Sequence, residues 1–181
     1  MARQRRLIQP LSLIHIISRF LNGEHILNTA RERTEYLRRA AKAFGDSDWA
    51  LLAYALLGTH THLAAVAGEA PFHEISRPLH SGFAGWLNPR RGRLGPVLAA
   101  RPSTYEVAPK GAGRLIAYLH NNPPRAGVVA SARESTWTSH LAYLGRVPCP
   151  GWLHVEAGLR LCGFARSNAG RRGFDAAPSL H

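Results

Sequence analysis

Apolar and polar positions change period several times along the chain, and each change marks an element. LSLIHIISR (11–19) is dense in apolar and β-branched side chains and stops at the turn-like FLNGE, which predicts a first strand. Thr29-Ala30-Arg31-Glu32 then has capping-box spacing. Ala30, Thr34, Leu37, Ala41 and Phe44 recur at helical intervals until Gly45, so a helix is expected over 30–44. WALLAYALL (49–57), the turn-like Gly58-Thr59 and HTHLAAVAG (60–68) read as two strands joined tightly; one long alanine-rich helix through 49–67 is the alternative, which Gly58 weighs against. A short helix is expected over 77–88, then a basic, proline-broken loop and a short strand near 103–107. GAGRLIAYLHN (111–121) puts Leu115, Ile116 and Leu119 on one stripe, and Pro123 ends that helix. AGVV (126–129) suits an edge strand, and STWTSHLAYLG (135–145) a loop running into a short helix. From Gly163 onward the chain is rich in Arg, Gly and Ala with little periodicity and is expected to fray. The order strand, helix, strand, strand, helix, strand predicts an α+β fold: a ferredoxin-like (RRM-like) antiparallel sheet with helices packed on one face.

With 181 residues, 45% of them hydrophobic, the chain can fill the core of one domain. A formal net charge of +12 points to a polyanionic partner, nucleic acid first. Apart from Lys42 and Lys110 the basic residues are all arginine, whose planar fork grips phosphate at two points. Arg19, Arg90, Arg91, Arg93, Arg101 and Arg125 are candidates for that grip, with Trp86 and Trp137 as stacking surfaces for unpaired bases; solvated arginines and structural tryptophans are the alternative. Cys149 and Cys162 form no CxxC pattern and no disulfide framework, as expected of ordinary buried or half-buried thiols in a reducing cytoplasm. The basic-then-apolar start is interrupted by Pro10, His15 and Arg19, so it reads as a strand rather than a signal peptide. No apolar run approaches the roughly 20 residues that span a bilayer, and no membrane partner is expected.

Two polar pairs carry the candidate chemistry. His60 and His62 are two apart on a predicted strand, so both imidazoles face one side; Tyr118 and Asn122 are four apart on a predicted helix, so both stack on one face. If strand and helix meet, two imidazole nitrogens and an amide oxygen can hold a divalent cation beside a phenol, a kit for cutting a phosphodiester with tyrosine as nucleophile. Taken singly, each has a plainer reading: packing histidines, a core tyrosine, a helix-end asparagine. His15 is expected to pack or hydrogen-bond in the sheet without a catalytic role, and His120 to face solvent. A hydrolase using bound water is disfavoured, since Glu69, the nearest carboxylate, lies beyond the strand.

Over roughly residues 7–164 the chain resembles the single-tyrosine HUH transposases, and within them the REP-associated tyrosine transposases of the IS200-like group. The anchors are LIHIISRFLNGEHIL, YALLGTHTHLAA, YLHNNPPRAGVV, STWTSHLAYLG and PGWLHVEAGLRLCGF. The resemblance implies a catalytic domain over 1–164 with a basic, flexible tail over 165–181. It implies His60, His62 and Asn122 as ligands of Mg²⁺ or Mn²⁺, and Tyr118 as the nucleophile that leaves a 5′-phosphotyrosine. It also implies single-stranded DNA with a hairpin as substrate, a possible homodimer, and a cytoplasmic, nucleoid-associated place in a bacterium. Three departures from the family pattern stand out. Thr61 takes the bulky apolar middle position of the triplet and needs a bonded hydroxyl if buried; GRLGPVLAARP (92–102) lacks the family's aromatic pair; and Pro124 replaces an apolar residue. Two rivals follow: a catalytically degenerate or domesticated nucleic-acid binder of the same fold, and a structural protein of a ribonucleoprotein particle.

Overall fold

The computed structural model describes residues 8–176; the basic stretch 1–7 and the end of the tail, 177–181, lie outside the described residues. Four strands, β1 (Leu13–Arg19), β2 (Ala50–Leu56), β3 (His60–Val66) and β4 (Ser103–Val107), form one sheet in the order β2-β3-β1-β4. Every neighbouring pair is antiparallel. Among the described residues seven α-helices accompany them: α1 (Ala30–Gly45), α2 (Phe72–Arg90), α3 (Ala112–His120), α4 (Asn122–Arg125), α5 (His140–Tyr143), α6 (Val155–Leu161) and α7 (Asn168–Ala176). The α+β, ferredoxin-like arrangement expected from the sequence is the one found, and residues 49–67 are the hairpin rather than a single helix.

The capping box predicted at the start of α1 is formed: Glu32 N–H donates to Thr29 Oγ1 at 3.3 Å, and Thr29 N–H donates to Glu32 Oε2 at 2.8 Å. Helix α2 begins earlier than the predicted 77, because Ile75, Leu79, Phe83 and Leu87 form a continuous buried stripe that outweighs the ladder bond lost at Pro78. The two long helices α1 and α2 lie together on one face of the sheet, as expected, over Ile14, Ile16 and Leu63. Helix α3 departs from the expected placement of all helices on one face: it packs on the other face, against β2 and β3, where Ala53, Ala55 and Ala64 are fully buried and allow a close approach.

Thr61 points to the α1–α2 side and is fully buried, with its hydroxyl 2.9 Å from the Tyr36 hydroxyl. Its need for a partner is therefore met. The chain of bonds continues to His80, whose Nδ1–H donates to the Ser76 carbonyl at 2.7 Å, so that Nε2 accepts from Ser18 Oγ at 3.0 Å and Tyr36 Oη at 3.2 Å. A polar network thus runs beneath the strand that carries the histidine pair, and each of these buried groups has a partner.

Three further expectations are corrected. Residues 126–129 are not an edge strand: Pro123 and Pro124 keep the chain in the short turn of α4, and Gly127 then reverses it at φ +68°. The β2 edge is covered instead by 137–139, where Leu56 N–H donates to the Trp137 carbonyl at 2.9 Å and Ser139 N–H to the Tyr54 carbonyl at 3.1 Å. Within the described residues the tail is not frayed over 168–176. Helix α7 docks through buried Phe174, which meets His120, His140, Tyr143 and Phe164, and through Arg171, which donates to the carbonyls of Ala142 and Tyr143. Its anchor is one aromatic among Arg, Gly and Ala, too sparse to register as a helical stripe. Finally, Cys149 is exposed rather than buried or half-buried, while Cys162 is half-buried as expected; both are free thiols. Among the described residues no helix is long and apolar enough to cross a membrane.

Candidate active site

Register decides what stands beside the histidine pair. Ile17 pairs with His62, Arg19 with His60 and His15 with Ala64, so His15, His60 and His62 share the face that α3 covers. His15 and His62 are diagonal neighbours across β1 and β3, within reach of long side chains. Their rings stack with centroids 5.1 Å apart, and His15 Nε2 lies 2.9 Å from His62 Nδ1. His60 is half-buried, its Nδ1 lies 2.9 Å from Thr59 Oγ1, and its ring stands nearly perpendicular to that of His62 at 4.9 Å. The hairpin that starts β3 is tight: a Cβ on Gly58 would come within 2.5 Å of the His25 ring.

Helix α3 brings Tyr118 to this cluster, with its ring edge-on to His62 at 5.6 Å and to His15 at 5.9 Å. Leu115, Ile116 and Leu119 are buried on α3, while Tyr118 stays 38% exposed at the margin of the contact. Asn122 follows at the start of α4, buried, and its amide N–H donates to the Tyr118 carbonyl at 3.4 Å. The structure therefore brings His60, His62 and Tyr118 together and tethers Asn122 to the backbone of the tyrosine.

His62 is only 3% exposed, and its Nε2 is buried with no hydrogen-bond partner. Burial, and next the neighbouring His15, His60 and Arg19, pull its pKa down to about 3; burial and Arg19 pull that of His15 down to about 4, and the same two causes lower that of His60. All three imidazoles are neutral near pH 7, the form in which the ring nitrogens present lone pairs. Among the described residues no group of three or more His, Cys, Asp or Glu side chains is arranged to hold a metal ion. His15 and His62 turn a nitrogen toward each other rather than toward a common centre, and the remaining donor beside the pair is an amide.

Five of the six arginines separate into two groups, and Arg90 stands apart on Trp86. Arg19 and Arg101 are exposed at the His60 end of the sheet, where Ala99 N–H donates to the Arg19 carbonyl, and exposed Arg125 sits over the Tyr118 ring at 5.9 Å. Arg91 instead donates to Glu32 at 2.7 Å and to the Ile26 carbonyl at 3.0 Å, and Arg93 pairs with Glu24. These two tie the end of α2 to the loop after β1, so their guanidinium groups are engaged within the protein, unlike the expected phosphate contacts. Arg90 lies over Trp86 at 4.6 Å with Arg31 at 5.8 Å, and Arg33 over Trp137 at 5.4 Å.

His120 does not face solvent: it is buried, 2.9 Å from Ser139 Oγ and 3.2 Å from His140 Nδ1, and burial holds its pKa well below the ordinary value. It binds α3 to the segment that covers the β2 edge. Sequence reasoning gave His15 a packing or hydrogen-bonding place in the sheet but no role at the site, and it passed over Thr59. Alternation alone could not reveal His15, because its place beside His62 depends on how β1 pairs with β3.

No protein-family model matches the chain, and no curated protein matches it in sequence. Among solved structures it is similar to a REP-associated tyrosine transposase bound to a REP hairpin, with 18% sequence identity, a TM-score of 0.68, and coverage of 83% of this chain and 89% of that one. At that identity the likeness is one of fold: this chain has the fold of that tyrosine transposase.

Proposed function

We propose that this protein is a single-tyrosine HUH enzyme that cleaves and rejoins single-stranded DNA beside a hairpin. The observation that carries the reading is the exposed Tyr118 edge-on to His62. The fold shared with a tyrosine transposase bound to a REP hairpin supports the same substrate class.

In this reading the Tyr118 oxygen attacks the scissile phosphorus, the P–O3′ bond breaks, and the protein is left joined to the 5′ phosphate. The phenolic proton passes to the solvent that reaches the ring, and the departing 3′ oxygen takes up a proton. Attack by a later 3′ hydroxyl reverses the step, so strands are joined without ATP. His60 and His62 would hold Mg²⁺ or Mn²⁺ with Asn122 as third ligand, and the orphaned, buried Nε2 of His62 fits a ligand atom awaiting a partner. The bound cation would supply charge to the scissile phosphate. Two imidazoles and an amide, short of a carboxylate, suit Mn²⁺ at least as well as Mg²⁺. Arg19, Arg101 and Arg125, exposed around the cluster, would grip the strand's phosphates.

The second reading is a nucleic-acid binder of this fold without cleavage, which the formal net charge of +12 supports equally. Labelled single-stranded hairpins with Mn²⁺, run on a denaturing gel, separate the two. The enzyme gives a covalent protein–DNA band that Tyr118→Phe abolishes while binding persists. An adduct that survives Tyr118→Phe rules out the nucleophile, and salt-sensitive binding without any adduct favours the binder.

A further inference from the structure

We infer that His15 is a positioning residue for His62, holding it in the tautomer that carries its proton on Nδ1 and presents a bare Nε2 to a divalent cation. This inference rests on the proposal that His62 is a metal ligand, but its first test does not.

The geometry leaves two ways to place the protons. A hydrogen bond of 2.9 Å joins His15 Nε2 and His62 Nδ1, and only one of these nitrogens can donate. If His15 donated, His62 would carry its own proton on Nε2, where the structure offers no acceptor, leaving a buried orphan N–H. If His62 donates, Nε2 is a bare lone pair, which a cation can satisfy. The second arrangement strands no donor. The other imidazole of the pair is built alike, since His60 Nδ1 meets Thr59 Oγ1 at 2.9 Å and a hydroxyl can accept that N–H. Both rings are therefore anchored at Nδ1, one by a hydroxyl and the other by an imidazole, and both keep Nε2 for a ligand. A ring nitrogen held by an outer partner fixes orientation and tautomer, and loss of such a partner weakens metal affinity by about 10- to 100-fold.

The test has two readings. In the metal-free protein, ¹⁵N-resolved NMR of the imidazoles should give the Nδ1–H tautomer for His62; an Nε2–H tautomer there overturns the inference without any variant. Mn²⁺ binding followed by calorimetry should weaken by about 10- to 100-fold in His15→Phe and recover in His15→Gln, whose amide oxygen can accept from His62 Nδ1. Circular dichroism establishes that each variant is folded, and the NMR result stands if His15→Phe is not. Unchanged affinity in folded His15→Phe overturns the inference while the metal site survives. Unchanged affinity in His62→Ala, or no Mn²⁺ binding by the wild type, overturns the metal site itself and with it the role given to His15.

Discussion

Acid should weaken this fold through His80, and the structure sets the size of the effect. His80 lies in the network with Ser18, Tyr36 and Thr61 beneath β3; burial lowers its pKa from 6.5 to about 4, against a smaller opposing contribution from the Ser76 carbonyl. Between those values the unfolded chain binds a proton that the folded chain does not, so stability rises with pH and is lost as pH falls from 6.5 toward 4. At about 1.4 kcal/mol per pKa unit the whole interval amounts to roughly 3 kcal/mol, of which about 1 kcal/mol is already lost at pH 5.5. His80→Gln keeps an amide that can donate and accept but removes the titration. Urea unfolding of both proteins at pH 7.5 and 5.5 should therefore give the wild type an extra loss of about 1 kcal/mol, with the other histidines cancelling in the comparison. Equal losses in the two proteins would refute the reasoning, since they would mean that His80 takes up its proton as readily when folded as when unfolded.

Thr61→Val removes the hydroxyl that meets Tyr36 under β3 and should cost about 1–2 kcal/mol in the same urea assay. Phe174→Ala empties the anchor of α7 and should cost about 3 kcal/mol, with hydrogen exchange quickened across 168–176; native-like protection there would show that α7 does not depend on it. Arg125→Ala should weaken single-stranded DNA binding and lower the slope of log K against log salt by about one. Arg91→Ala, which breaks the contact with Glu32, should instead lower the thermal midpoint and leave that slope unchanged.

What sequence determined here is what short-range physics controls. The period of two around His60 and His62, the period near 3.6 before Gly45 and at Leu115–Leu119, and the Thr29–Glu32 box each depend on residues a few positions apart, and each element appears close to where it was expected. The same spacing placed His60 beside His62 and Asn122 one turn after Tyr118. Tertiary structure alone decided the rest. The pairing of β1 with β3 sets His15 against His62, since a shift of one residue would have turned His15 to the opposite face. Docking across distant segments buried His120, drew Arg91 and Arg93 onto Glu32 and Glu24, and ordered α7 around a single phenylalanine. Alternation assigns a side chain to a face of its own strand, but its neighbour is chosen by register and packing among residues far apart in the chain, and no local pattern carries that choice.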